Sequence, residues 1–245
     1  TMAAWSDDNF NIAPAGEVQR VRGLYVSGDF FAALGVTPLL GRVFTHADDA
    51  VGCGVPGAVI SYGFWQRQFN GEPAIVGRTL TINTRVVDII GVTPNGFFGP
   101  EVGRAFDVAV PICSVDTFVP IADGLKSGSF WWLTIVGRLK PGWTIERADA
   151  HVRALSAGIF KDALPPGYPP VSVKAYLDSK FTAVPAGRGY SVLRFYYSRS
   201  LRLLLAMTGR VLLVACANLA NLMITRGAVR SRELALRLAL GASRG

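Results

Sequence analysis

The chain has 245 residues, 50% of them hydrophobic, and its 25 Lys and Arg against 17 Asp and Glu leave a net charge of +8. Residues 201–245 hold seven of the basic residues and one acid, a balance of +6, so the first 200 residues are close to neutral. Cations gathered at one end beside an apolar run argue against a nucleic-acid-binding face, which spreads them over a globular surface, and point to a membrane segment.

Glu17 to Val26 (EVQRVRGLYV) reads as a strand, after which Ser27 caps a short helix carrying Phe30, Phe31 and Leu34 that stops at Gly35. Ala58 to Ser61 reads as a strand, followed by the helix YGFWQRQF, which ends at Asn70 and Gly71. Thr79 to Ile82 and Arg85 to Val92 flank Asn83-Thr84 as a hairpin. Beyond the Gly- and Pro-rich stretch PNGFFGPEVG, Trp132 to Leu139 alternates as a strand. Lys140-Pro141-Gly142 then turns into a helix capped by Thr144, with Ile145, Ala148, Val152, Leu155 and Ile159 along one stripe. PPGYPP ends it, and Val171, Val173, Ala175 and Leu177 alternate as a further strand. This βαβ arrangement with hairpins predicts an α+β domain, a mixed sheet with helices packed on one side.

Leu203 to Ile224 (LLLAMTGRVLLVACANLANLMI) is long enough to cross a hydrocarbon core of about 30 Å. Its ten Leu, Ile and Val residues outweigh Arg210, which lies about 10 Å in and is within snorkelling distance of the near interface. Asn218 and Asn221, beside Ala217 and Ala220 and with Gly209 earlier in the span, suit packing and hydrogen bonding between membrane helices. Beyond the span, Arg226, Arg230, Glu233, Arg237 and Arg244 share one helical stripe, and Gly241 offers a stop. Read from the residues alone, that stripe meets either lipid phosphates or an acidic partner. Arginines also precede the span, at 188, 194, 199 and 202, so charge leans only slightly toward a cytoplasmic C-terminal side.

Motifs for catalysis are missing. The two histidines, His46 and His151, form no HExxH, there is no GxSxG elbow, and no GxxxxGK[ST] would bind ATP. His46, Asp48, Asp49 and Cys53 make a weak metal-like cluster that reads better as solvated loop residues, so no metal or cofactor is expected. Cys216 falls in the span, and the spacing of Cys53 and Cys113 leaves their pairing open. The chain opens at Thr1 in mid-pattern and is read as a fragment.

VRGLYVSGDFFAALGVTPLLGRVF, VISYGFWQRQFNGEPAIVGRTLTIN and VVDIIGVTPNGFFG resemble the extracytoplasmic core domain of MacB-like ABC transporter permeases. LLVACANLANLMITRGAVRSRELALRLALGASRG resembles the start of the FtsX-like permease domain of the same proteins, in the same order. The phrases FWQRQFNGEP and NGFFGPEVGR look most like long bacterial permeases without an ATPase on the same chain, whereas Arg210 departs from the apolar residue usual in the family. The resemblance implies an extracytoplasmic domain at 1–198, the second of four membrane helices at 201–225, and a truncated cytoplasmic coupling segment at 226–245. It also implies a bacterial inner-membrane protein that is not itself an enzyme. ATP hydrolysis on a separate ABC ATPase subunit would move the extracytoplasmic domain, a mechanotransmission used for efflux or export. Arg230, Arg232, Glu233, Arg237, Gly241 and Ala242 are the expected ATPase contacts and turn. A permease homodimer, the lipid bilayer and a periplasmic adaptor are the other expected partners. The alternative is a single-span anchored binding or adhesion module.

Overall fold

The computed structural model describes residues 1–13, 17–50, 52–118, 125, 130–187 and 189–241. They form two compact units, Thr1–Tyr190 and Ser191–Gly245.

The first unit is built on a mixed sheet of strands β1 (Met2–Asn11), β2 (Arg20–Val26), β3 (Leu40–Gly41), β4 (Ala58–Ile60), β5 (Thr79–Ile82), β6 (Arg85–Val92), β7 (Val108–Pro111) and β8 (Thr134–Gly137). The order across it is β3-β6-β4-β7-β2-β1-β8, with β5 paired to β6. Pairs β4–β6 and β2–β7 are parallel and the remainder antiparallel. The parallel pair β4–β6 is joined through helix α2 (Tyr62–Phe69) and then β5, which turns back on β6 as a hairpin.

The central strands are apolar on both faces. In β4, Ala58 and Ile60 join one core with Phe64 and Trp65 of α2, while Val59 joins a second core with Phe30 and Phe31 of helix α1 (Phe30–Leu34). Tyr25 and Val26 of β2, and Val110 and Ala109 of β7, divide in the same way. Helices therefore cover both faces, where the sequence suggested one side. The short helix α3 (Val115–Phe118) packs Val115 and Phe118 into the α2 side.

Local signals explain the elements that match. Ser61 Oγ accepts the Phe64 N–H at 3.1 Å to start α2, and Asn70 in a left-handed conformation ends it. Asn83 and Thr84 both take positive φ, as a tight hairpin requires, and Asn83 Oδ1 accepts the Asn11 N–H at 2.8 Å. Helix α4 (Ile145–Asp162) starts on Thr144, whose Oγ1 accepts the Arg147 N–H at 3.3 Å.

Several expectations are corrected. Ser27 is not the cap of α1; that position is Asp29, and the Ser27 hydroxyl instead accepts the Ala4 N–H at 3.0 Å, tying β1 to the end of β2. On α4 the buried residues are Ser156 and Phe160, while Leu155 and Ile159 lie exposed. The segment expected as a strand from Val171 to Leu177 is helix α5 (Pro170–Leu177). Pro170 preorganises its first turn, and the buried Tyr176 packs edge-on against Phe160 at 5.4 Å, a contact that helical spacing delivers. The β8–α4 unit thus continues into a second helix and closes no further parallel strand.

The second unit is helix α6 (Val192–Ala239), 48 residues without interruption. At 1.5 Å per residue it is about 72 Å long.

Candidate functional site

Among the described residues, one helix is long and apolar enough to cross a membrane, the stretch Tyr196–Arg237 of α6. None of its most apolar window is buried, and side chains such as Leu205 (74% exposed) and Leu213 (70%) have no protein cover. Such a surface is costly in water, since each buried Leu is worth about 1.5–3 kcal/mol, and it suits a bilayer. The hydroxyls are satisfied inside the helix: Thr208 Oγ1 donates to the Leu204 carbonyl and Thr225 Oγ1 to that of Leu222, both at 2.9 Å. That arrangement suits a medium without water.

The span and the basic segment are parts of this one helix, so their side chains share a common phase. Arg230 and Arg237, seven positions apart, fall on one face, whereas Arg232 lies about 200° round from Arg230, and the Glu233 side chain is outside those described. Arg230, Arg232 and Arg237 are exposed, and Arg237 occupies the last turn, where the helix dipole favours a cation. Gly241 has φ +82°, the left-handed conformation that ends a helix. Ala242 and Arg244 lie outside the described residues.

The packing residues fall on two arcs. Asn218 and Asn221, with Leu222 and Thr225, line one shallow groove, and Ala217 adjoins Asn221 on that side. Gly209 and Ala220 share a neighbouring arc about 60–80° from Ala217.

In the first unit Cys53 and Cys113 form a disulfide, with Cα atoms 5.9 Å apart. Asp49 locks the same corner, its carboxylate accepting the Gly28 N–H at 3.2 Å and the Cys113 N–H at 3.0 Å. Asp48 accepts two hydrogen bonds from Arg42, at 2.8 and 2.9 Å, and closes a capping box with Thr45. The Arg42 guanidinium, and then the Thr45 N–H and hydroxyl, hold the Asp48 carboxyl down at about 2 despite partial burial. Three of the four residues that looked faintly metal-like thus have structural partners: Asp49 and Cys53 belong to the disulfide corner, and Asp48 serves the turn beside it. Spacing alone could not reveal the disulfide, because it closes across 60 residues.

A family model described as the MacB-like periplasmic core domain matches residues 3–155. The chain belongs to this family. The match runs from β1 through all eight strands into α4. The family describes a periplasmic core domain, and the long apolar stretch of α6 beyond it suggests a membrane location. Among solved structures, the periplasmic region of MacB from Actinobacillus actinomycetemcomitans is similar with a TM-score of 0.50 at 15% identity, over 65% of this chain and 66% of that one. The extracellular domain of the noncanonic ABC-type transporter YknZ from Gram-positive bacteria is similar at 16% identity and a TM-score of 0.47, over 64% of this chain and 75% of that one. No curated protein matches. At such identities the likeness concerns the fold, and this chain spans 66% of the length of the MacB structure.

Proposed function

We propose that this MacB-like chain is part of a bacterial inner-membrane ABC transporter permease that carries ATPase-driven motion to an extracytoplasmic domain for efflux or export. Residues 1–198 are extracytoplasmic, 201–225 form the second membrane helix, and 226–245 form the cytoplasmic segment that meets a separate ABC ATPase. The observation that carries the orientation is the Cys53–Cys113 disulfide. Disulfides persist in oxidising compartments and are rare in the cytosol, which supports an extracytoplasmic first unit where the arginine counts leave the question open. The basic far end of α6 is then cytoplasmic, and Arg230 and Arg237 on one face of an unbroken helix, with Glu233 between them in the sequence, present a docking edge to the ATPase. Arg232, on the other side, faces anionic lipid headgroups or a second element of the ATPase. Gly241 and Ala242 turn the chain toward the next membrane helix. The permease works as a homodimer and engages a periplasmic adaptor.

The test is charge reversal. Arg230→Glu with Arg237→Glu in the full-length permease abolishes its effect on the hydrolysis rate of the ATPase, while tryptophan fluorescence of the first unit stays unchanged. Undiminished ATPase stimulation by a folded, membrane-inserted double variant refutes the coupling assignment.

A further inference from the structure

Arg210 sits inside the apolar stretch of α6, and its depth follows from counting. The bounding cations are Arg202 and Arg226, so its Cα lies about 12 Å from one and about 24 Å from the other at 1.5 Å per residue. Sliding the helix until Arg210 reached a membrane surface would leave only Val211–Thr225 before Arg226, about 22 Å of helix for a hydrocarbon core of about 30 Å. The Arg210 Cα therefore stays within the bilayer, and its charge is either paired there or carried by the extended side chain toward the near interface.

It is not alone on its face. With about 100° per residue and no break in the helix, Ala217, Asn221, Thr225 and Asn218 all fall within roughly 100° of one another and of Arg210. Leu205, Leu212, Leu219 and Met223 occupy the opposite arc. Val214 falls on the same face between Arg210 and Asn218, so this side is a strip with two polar stations, Arg210 and, about two to four helical turns away, the groove at Asn218, Asn221 and Thr225. Ionisable groups at membrane depth turn toward protein and find a counter-charge, because an unpaired one is costly in hydrocarbon.

No such counter-charge lies within reach on α6. Its acidic residue, Glu233, is 23 positions from Arg210, about 35 Å along the axis. Nor can α6 of a second copy supply one. Two α6 helices inserted in the same orientation and packed strip to strip would bring Arg210 against Arg210 at equal depth, a like-charge contact in a low dielectric. The geometry points to a heterologous neighbour: the Arg210, Asn218, Asn221 and Thr225 strip docks a different membrane helix that carries an aspartate or glutamate within its own apolar stretch, level with Arg210. This rests on the reading of α6 as a membrane span.

The experiment uses full-length protein in its own membranes, with a photoreactive benzoylphenylalanine at Asn221 on the strip or at Leu219 on the opposite arc. Irradiation at Asn221 is expected to yield a cross-linked peptide from another membrane helix with a carboxylate in its apolar stretch, whereas Leu219 yields mainly lipid adducts. Arg210→Glu reduces the Asn221 cross-link roughly three- to tenfold, as one intramembrane polar contact would, and changing that carboxylate to Lys restores it. Lipid adducts from both positions, meaning an arginine that snorkels to headgroups, overturn the inference. So does a cross-link to α6 of a second copy, or a carboxylate-to-Lys change that fails to restore the pair. Cysteines placed at Ser200 and Ser231 and labelled from one side of the membrane separate these failures from failure of the span itself. Labelling of both from the same side would refute the span.

Discussion

Removal of the Cys53–Cys113 disulfide should cost the first unit a large part of its stability. The bridge closes a loop of 60 residues that contains β4, α2, β5, β6 and β7, four of the eight strands. Constraining a loop of that length in the unfolded chain is worth about 4 kcal/mol, or roughly a thousandfold in the folding equilibrium. For a unit of this size that corresponds to a fall in Tm of about 8–16 °C. All five tryptophans, at 5, 65, 131, 132 and 143, lie in the first unit, so intrinsic fluorescence follows its unfolding even in the detergent-solubilised chain. Cys53→Ala with Cys113→Ala should lower the thermal and urea midpoints, and reductant should do the same to the parent but not to the double variant. Cys216→Ser, which leaves the bridge intact, is the control. Asp49 keeps both backbone partners in the variant, so the loss isolates chain constraint from the hydrogen bonds of the same corner. A double variant within about 0.5 kcal/mol of the parent would refute the loop-closure reasoning.

Asp48 supplies a pH-dependent term. Its folded pKa of about 2 lies below its ordinary value of 3.8, so the carboxylate stabilises the fold above pH ~4 and that contribution is lost as pH falls toward 2. With Arg42 half exposed, the effect is about 1–2 kcal/mol; Asp48→Asn should be destabilised by that amount at pH 6, and the difference should vanish near pH 2 in urea titrations. Gly91→Ala drives a methyl group into the Arg42 carbonyl where β6 meets β3, and backbone cannot yield as a side chain would. A loss of about 2–3 kcal/mol is expected from urea unfolding, and an unchanged midpoint would show that this strand pair is looser than described.

Elements with local causes were legible in the residues. Helix α2 carries its own start and stop in Ser61 and Asn70, and the β5–β6 hairpin its turn in Asn83-Thr84. Strands β1 and β7 gave no such signal. The alternation of β1 is interrupted by Ser6-Asp7-Asp8-Asn9, and β7 is four apolar residues whose strand character depends on β2 and β4 beside it. Period-two spacing misled at Val171–Leu177, because Val173, Tyr176 and Leu177 also satisfy a helical period, and the Phe160 contact decides between them.

The long apolar span, the basic stripe beyond it and the glycine that ends it were set by the sequence alone, since helical phase is a property of consecutive residues and needs no tertiary partner. Strand order, the use of both sheet faces and the Cys53–Cys113 bridge were decided only by the tertiary structure. Each depends on bringing together positions tens of residues apart, and which closures win is a collective result of burying both faces of β4, β7 and β2 at once.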